Sequence, residues 1–184
     1  MAPISPHPCP EPAVGSGAGV EPGAAGGSGP GAAGGDAAAD IDWEALRALA
    51  TQAMRCAYVP YSGYPVGVAG LTDDGRVVSG CNVENASIGI TLCAECGMVS
   101  DLVRTGGGRL RAVYCVDAEG APLVPCGRCR QLLWEHGGAH VQLMLHDGVH
   151  SLTELLPRAF GPDHLAQAAE RRAAKAAQYL AENP

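Results

Sequence analysis

Positive charge is scarce in this chain. Only 12 of the 184 residues are Lys or Arg, a single one of them Lys, and they form no stripe that could neutralise a phosphate backbone. Nucleic acid is therefore not expected as substrate or partner. No run of eighteen apolar residues occurs, and the N-terminus lacks the basic-then-apolar order of a secretory signal. Neither a membrane span nor export is expected, and the protein reads as cytoplasmic. Residues 1–39 have almost no large apolar side chain, consisting mostly of Gly, Ala, Pro and Ser. They cannot bury enough surface to offset the entropy of ordering, so they read as a disordered leader. Of the formal charge of −7, this leader together with Asp40 supplies −4 through Glu11, Glu21, Asp36 and Asp40. Aromatic residues are 4% of the chain, with one Phe, at position 160.

What remains suffices for one core, since 47% of residues are hydrophobic. The fold is expected to begin at Asp40 or Asp42, either able to cap a helix carrying Leu46, Leu49, Ala50, Ala53, Met54 and Ala57 on one face and ending before Pro60. Val66 to Leu71 and Arg76 to Asn82 flank Thr72-Asp73-Asp74-Gly75, the signature of a hairpin. A loop through Asn85 leads to a helix from about Cys93 to Arg104, stopped by Gly106-Gly107-Gly108. This glycine run is no phosphate loop, because no Lys-Ser or Lys-Thr follows it. Leu110 to Asp117 reads as a strand, Cys126 to His136 as a helix, and Val141 to Leu145 as another apolar run. Ser151 and Glu154 are spaced as a capping box before Pro157, and residues 163–182 have the composition of a partly solvated terminal helix. Helix, two antiparallel strands, then alternating helix and strand fit a layered α/β sheet with helices on its faces.

Eight cysteines in a chain of this length without an export signal point to metal or catalysis before disulfides. Cys9, Cys56, Cys81 and Cys115 show no spacing pattern and read as small, buried, reduced side chains. His136, His140, His146 and His150 show no paired ligand spacing either. The chemistry lies in Cys93-Ala94-Glu95-Cys96 and Pro125-Cys126-Gly127-Arg128-Cys129. By spacing alone two arrangements are open. Four sulfurs could close a structural zinc site, or Cys93, Cys126 and Cys129 could bind while water takes the fourth position beside Glu95. A chain with this much core needs no metal staple, and a carboxylate beside zinc and water is a ready proton carrier, both of which favour the open site.

Four motifs add a resemblance. Pro60-Tyr61-Ser62-Gly63-Tyr64-Pro65-Val66-Gly67, Gly80-Cys81-Asn82-Val83-Glu84-Asn85-Ala86-Ser87, Cys93-Ala94-Glu95 and Pro125-Cys126-Gly127-Arg128-Cys129-Arg130-Gln131 together resemble the small homotetrameric cytidine deaminases over about residues 42–162. Zinc deaminases hold their metal with one His and two Cys or, as a variant, with three Cys, and this sequence carries the variant.

The resemblance implies a three-layer α-β-α fold with a mixed sheet of about five strands and helices on both faces. It implies a zinc-dependent deaminase domain over 40–162, after which the composition of 163–184 reads as a C-terminal helical extension. The implied reaction is hydrolysis of cytidine and 2'-deoxycytidine to the uridines and ammonia. One Zn2+ per subunit would be held by Cys93, Cys126 and Cys129, with Glu95 as proton shuttle. By position, Asn82 and Glu84 would bind the ribose hydroxyls, Tyr64 the pyrimidine ring, and Phe160 would enter a neighbouring subunit's site, so that a tetramer is expected. The chain departs from much of the family at Cys96, where an Arg usually donates to the ligand thiolates. The helix N-termini, with Arg128 or Arg130, would have to offset that charge, leaving Cys96 a neutral thiol nearby. Ile88 stands where relatives often have Tyr. A deaminase of another base or of a nucleoside antibiotic, and a non-catalytic four-cysteine zinc module, are the competing readings.

Overall fold

A computed structural model describes residues 41–183, so the expected leader lies outside the described residues. The first helix, α1, spans Trp43–Met54, and the Asp42 carboxylate caps it by accepting the Ala45 N–H at 2.9 Å. Leu46, Ala50 and Met54, four residues apart, form its buried stripe. Leu49 lies at the edge of that stripe and stays 37% exposed, and Ala57 falls beyond the helix end, so the apolar face is narrower than the sequence suggests.

Strands β1 (Gly67–Thr72) and β2 (Val77–Cys81) pair antiparallel around Asp73-Asp74-Gly75, with Gly75 at φ +84°. Only glycine adopts that conformation readily. The Thr72 hydroxyl and then Arg76 hold the Asp74 carboxyl at about 2, below the ordinary carboxylate range. After a short 3-10 turn at Ile88–Ile90 come α2 (Ala94–Arg104), β3 (Leu110–Val116), α3 (Gly127–Gly137) and β4 (Gln142–Leu145). A fifth strand, β5 (Gly148–Ser151), then α4 (Leu152–Leu155) and α5 (Pro162–Glu182) complete the described chain. Ser151 and Glu154 form the expected capping box of α4, the Ser151 N–H donating to the Glu154 carboxylate at 2.6 Å. No residue of α5 is buried, and no helix of the described residues is long and apolar enough to cross a membrane.

The sheet order is β2-β1-β3-β4-β5, with β3 and β4 parallel and every other neighbouring pair antiparallel. This is the mixed five-stranded sheet. Alternation along the strands divides the core in two. Ala69, Ala112, Tyr114 and Val116 pack with Leu46, Ala50 and Met54 of α1 on one face. Val68, Val78, Val113 and Cys115 pack with Met98, Val99 and Leu102 of α2 and Leu133 of α3 on the other. The result is three layers, helix on sheet on helices.

A single glycine sets the position of α2 on the sheet. A Cβ at Gly80 of β2 would collide with the backbone of Ala94, Gly97 and Met98, so the first turn of α2 lies directly on the strand. Gly80→Val is expected to cost about 3 kcal/mol through this overpacking. Thermal denaturation measures the loss, and an unchanged melting temperature would contradict the contact.

Candidate functional site

The close approach at Gly80 fixes where α2 starts, and α3 starts beside it. Cys93 is the residue capping α2 and Cys126 the residue capping α3. Both are extended, and neither side chain makes a capping hydrogen bond. Their sulfurs therefore sit at two helix N-termini, where free N–H groups and the helix dipole favour negative charge. Cys129, one turn into α3, is buried beneath them.

The three Sγ atoms lie within 4.8 Å of one another, and Cys93 Sγ is 3.9 Å from Cys126 Sγ. A tetrahedral zinc with sulfur at about 2.3 Å requires sulfurs about 3.8 Å apart, so the donor set fits that ion. Cys96 is outside the group. Its sulfur lies 3.4 Å from Arg128 Nη2, which also donates to the Thr91 carbonyl at 3.3 Å. Arg130 braces the segment differently, giving Nε to the Pro125 carbonyl and Nη1 to the Leu155 carbonyl, each at 2.9 Å.

Glu95, on the first turn of α2, is 4% exposed. The Cys129 thiol donates to its Oε2 at 3.0 Å, and the Cys115 thiol to its Oε1 at 3.6 Å. No spacing or motif singles out Cys115, which comes to the site only through the fold. Burial, followed by the nearby Glu95 charge, pushes the Cys115 and Cys129 thiols far up. Burial also pushes Cys93 up. At Cys126 burial opposes ionisation, yet hydrogen bonds from the Cys129 backbone and side chain, Cys93 and the Arg128 backbone hold its thiol below the usual range.

A cleft of about 180 Å³ opens over this group, lined by Val66, Asn82, Leu92, Cys93, Glu95 and Cys126 among others. A larger concavity of about 380 Å³ runs along the outer face of α1 past Arg47, Thr51 and Glu119. It has no cysteine, so the chemistry and not the size locates the site.

Among the residues expected to touch substrate, Asn82 lines the cleft. Its side-chain amide spans the backbone of the segment entering β1, donating to the Tyr64 carbonyl at 2.9 Å and accepting from Val66 N–H at 2.8 Å. The Glu84 carboxylate accepts the Tyr61 and Ser62 N–H groups at 2.9 and 3.2 Å. A hydrogen bond from the Ser62 side chain, followed by those two backbone bonds, holds it below the usual carboxylate range. Tyr64 is about half exposed in the segment before β1. Phe160 is 56% exposed and stacks on His164 at 5.4 Å, and its carbonyl accepts from Gln131 Nε2. Ile88 is 81% exposed.

Known proteins match both sequence and fold. A family model described as the cytidine and deoxycytidylate deaminase zinc-binding region matches residues 41–145. A cytidine deaminase of Mycobacterium tuberculosis (strain CDC 1551 / Oshkosh) is 58% identical over 133 residues, covering 72% of this chain and 98% of the relative. One from Sporosarcina psychrophila is 41% identical over 137 residues, covering 71% and 100%. The crystal structure of the cytidine deaminase from Mycobacterium leprae superposes with a TM-score of 0.64 at 56% identity, covering 65% of this chain and 100% of that one. The matched region holds both helix starts, with their three gathered cysteines and the buried glutamate, and the chain belongs to the cytidine and deoxycytidylate deaminase family.

Proposed function

We infer that this chain hydrolytically deaminates cytidine and 2'-deoxycytidine, with one zinc ion per subunit held by Cys93, Cys126 and Cys129. The observation that carries the reading is a buried carboxylate, Glu95, beside a three-sulfur group of tetrahedral dimensions at the floor of a cleft. When bound, zinc supplies the Lewis acidity that makes water a nucleophile near neutral pH. Three thiolates give a centre of net charge −1, which acidifies water less than neutral ligands do, so the protein must supply a base.

Glu95 is that base. It takes one proton of the attacking water and delivers it to N3 of the pyrimidine; it then takes the second proton from the hydroxyl now on C4 and passes it to the amine, which leaves as ammonia while C4 becomes a carbonyl. Its Oε2 is the oxygen on the sulfur side, next to Cys129. Burial keeps bulk water from competing for the proton.

The thiolate charge is offset by the two helix N-termini and by Arg128, which links Cys96 on α2 to the start of α3. The position of Cys96 against Arg128 disfavours the four-sulfur module. Arg128→Ala is expected to weaken zinc retention about tenfold, measured by competition with a chelator. Unaltered retention would remove Arg128 from this role.

Asn82 lines the cleft already oriented by two backbone bonds, and keeps a second amide N–H for a sugar hydroxyl. Glu84, held ionised, is the acceptor beside it, and Tyr64 packs against the ring. A cleft of about 180 Å³ is small for a ligand site and is rimmed by exposed Leu92 and Val124. This supports an assembly, a tetramer, in which Phe160 of a neighbouring copy completes the wall. In this reading residues 40–162 are the catalytic domain, 163–184 an appended helix, and the compartment the cytoplasm.

A nucleoside panel with metal analysis tests the proposal. Cytidine and deoxycytidine are expected to lose their absorbance in the presence of protein carrying about one zinc per subunit. Zinc-loaded protein that leaves both untouched would overturn it.

A further inference from the structure

The buried thiol of Cys115 is neither a ligand nor a proton carrier in the reaction. It lies on β3, 2% exposed, on the face of the sheet that α2 covers. The rest of that strand face and its surroundings are aliphatic: Val68, Val113, Leu133 and Leu143. Within this apolar layer the Cys115 sulfur is 3.6 Å from Glu95 Oε1, while Oε2 faces Cys129 Sγ at 3.0 Å. The two oxygens of one buried carboxylate are thus directed to opposite sides, one into the core and one toward the ligand group. A carboxylate out of water needs a donor on each oxygen or it turns to find one. Cys115 is the donor that the core offers.

We propose that Cys115 is a positioning residue for Glu95: its thiol donates to Oε1 and fixes the carboxylate so that Oε2 faces the three sulfurs. This rests on the reading of Glu95 as the proton carrier. A thiol suits the task because it is apolar enough to sit in this layer and still has an S–H to give. The neighbouring Val113 and Val68 show that an aliphatic side chain fills this layer equally well, so packing alone does not require sulfur.

The test compares Cys115→Ser with Cys115→Val. Valine fills the space and gives up the donor, while serine keeps a donor and puts a hydroxyl into an apolar layer. The donor role and a packing role therefore rank the two in opposite order. If Cys115 positions Glu95, the Val variant loses about tenfold in kcat with KM and zinc per subunit unchanged, and the Ser variant stays within about threefold of the parent. Melting temperature should rank them the other way, with Val at or above Ser. If kcat follows the melting temperature, or if the Val variant turns over like the parent, the proposal is wrong. Should the Val variant not fold, Cys115→Ala against Cys115→Ser carries the same comparison, with Ala expected to show the tenfold loss. Glu95→Gln is assayed alongside. If it retains turnover, the proton-carrier reading itself has failed. If it is inactive while the Val variant is unimpaired, only the role of Cys115 has.

Discussion

Glu95→Gln is expected to lower kcat by about three orders of magnitude or more while the protein keeps its zinc and its fold. General acid–base catalysis by one positioned group contributes about 10²–10⁴ in rate, and Glu95 serves as both base and acid in one turnover. Gln has the same shape, so the packing of a side chain 4% exposed on the first turn of α2 is preserved. It can still accept from Cys115 through its amide oxygen, but it cannot take the proton of water. Removing a buried charge should leave the melting temperature unchanged or raised. The measurement is single-turnover deamination of cytidine with zinc determined on the same sample. Activity within tenfold of the parent would show that the proton passes elsewhere, and loss of zinc would show that Glu95 holds metal.

The second large effect separates the cysteines. Cys129→Ala is expected to abolish zinc binding and turnover together, and Cys96→Ala to leave both nearly intact. Removing one of three thiolate ligands takes away roughly a third of the binding free energy of such a centre, about 4 kcal/mol, or about a thousandfold in affinity. Cys129 is fully buried and within 4.8 Å of both other sulfurs, so its loss removes one of the three gathered donors. Cys96 lies against Arg128 instead, outside the group. Its loss should cost only a weak acceptor for Arg128 near the site. Chelator competition on the two variants gives the answer. Equal loss of zinc in both would mean that four sulfurs share the ion.

The parts of the fold that are legible in the sequence are those set by local rules. The Asp-Gly hairpin of β1 and β2, the glycine stop after α2 and the capping box of α4 each depend on residues a few positions apart, and each is found where it is expected. The helix starts at Cys93 and Cys126 can be placed because their motifs lie at composition breaks. Strand β5 is not among the expected elements. Gly148-Val149-His150-Ser151 is short and has no apolar run, and it becomes a strand only by pairing with β4. A signal for it is nevertheless present, since Asp147-Gly148 follows the apolar run Val141 to Leu145, and Gly148 takes φ +123° at the turn.

At the site, spacing leaves both three and four ligands open. In space the Cys96 sulfur accepts from Arg128, a residue 32 positions away on another helix, and lies outside the three-sulfur group. Cys115 reads as an inert thiol for the same reason. Its contact with Glu95 joins β3 to α2, which lies directly on Gly80 of β2, a packing event that no local pattern records. Arg130 is a candidate partner of the thiolates by sequence position, but its guanidinium is found on the Pro125 and Leu155 carbonyls, where it ties the start of α3 to α4.

The central claim is a zinc ion held by three sulfurs and no more, with the carboxylate of Glu95 beside it. X-ray absorption at the zinc edge of the purified protein measures the number of sulfur neighbours directly. Three sulfurs per zinc at about 2.3 Å, with one lighter neighbour, is the expected result. Four sulfurs, or protein that carries no zinc, would contradict it.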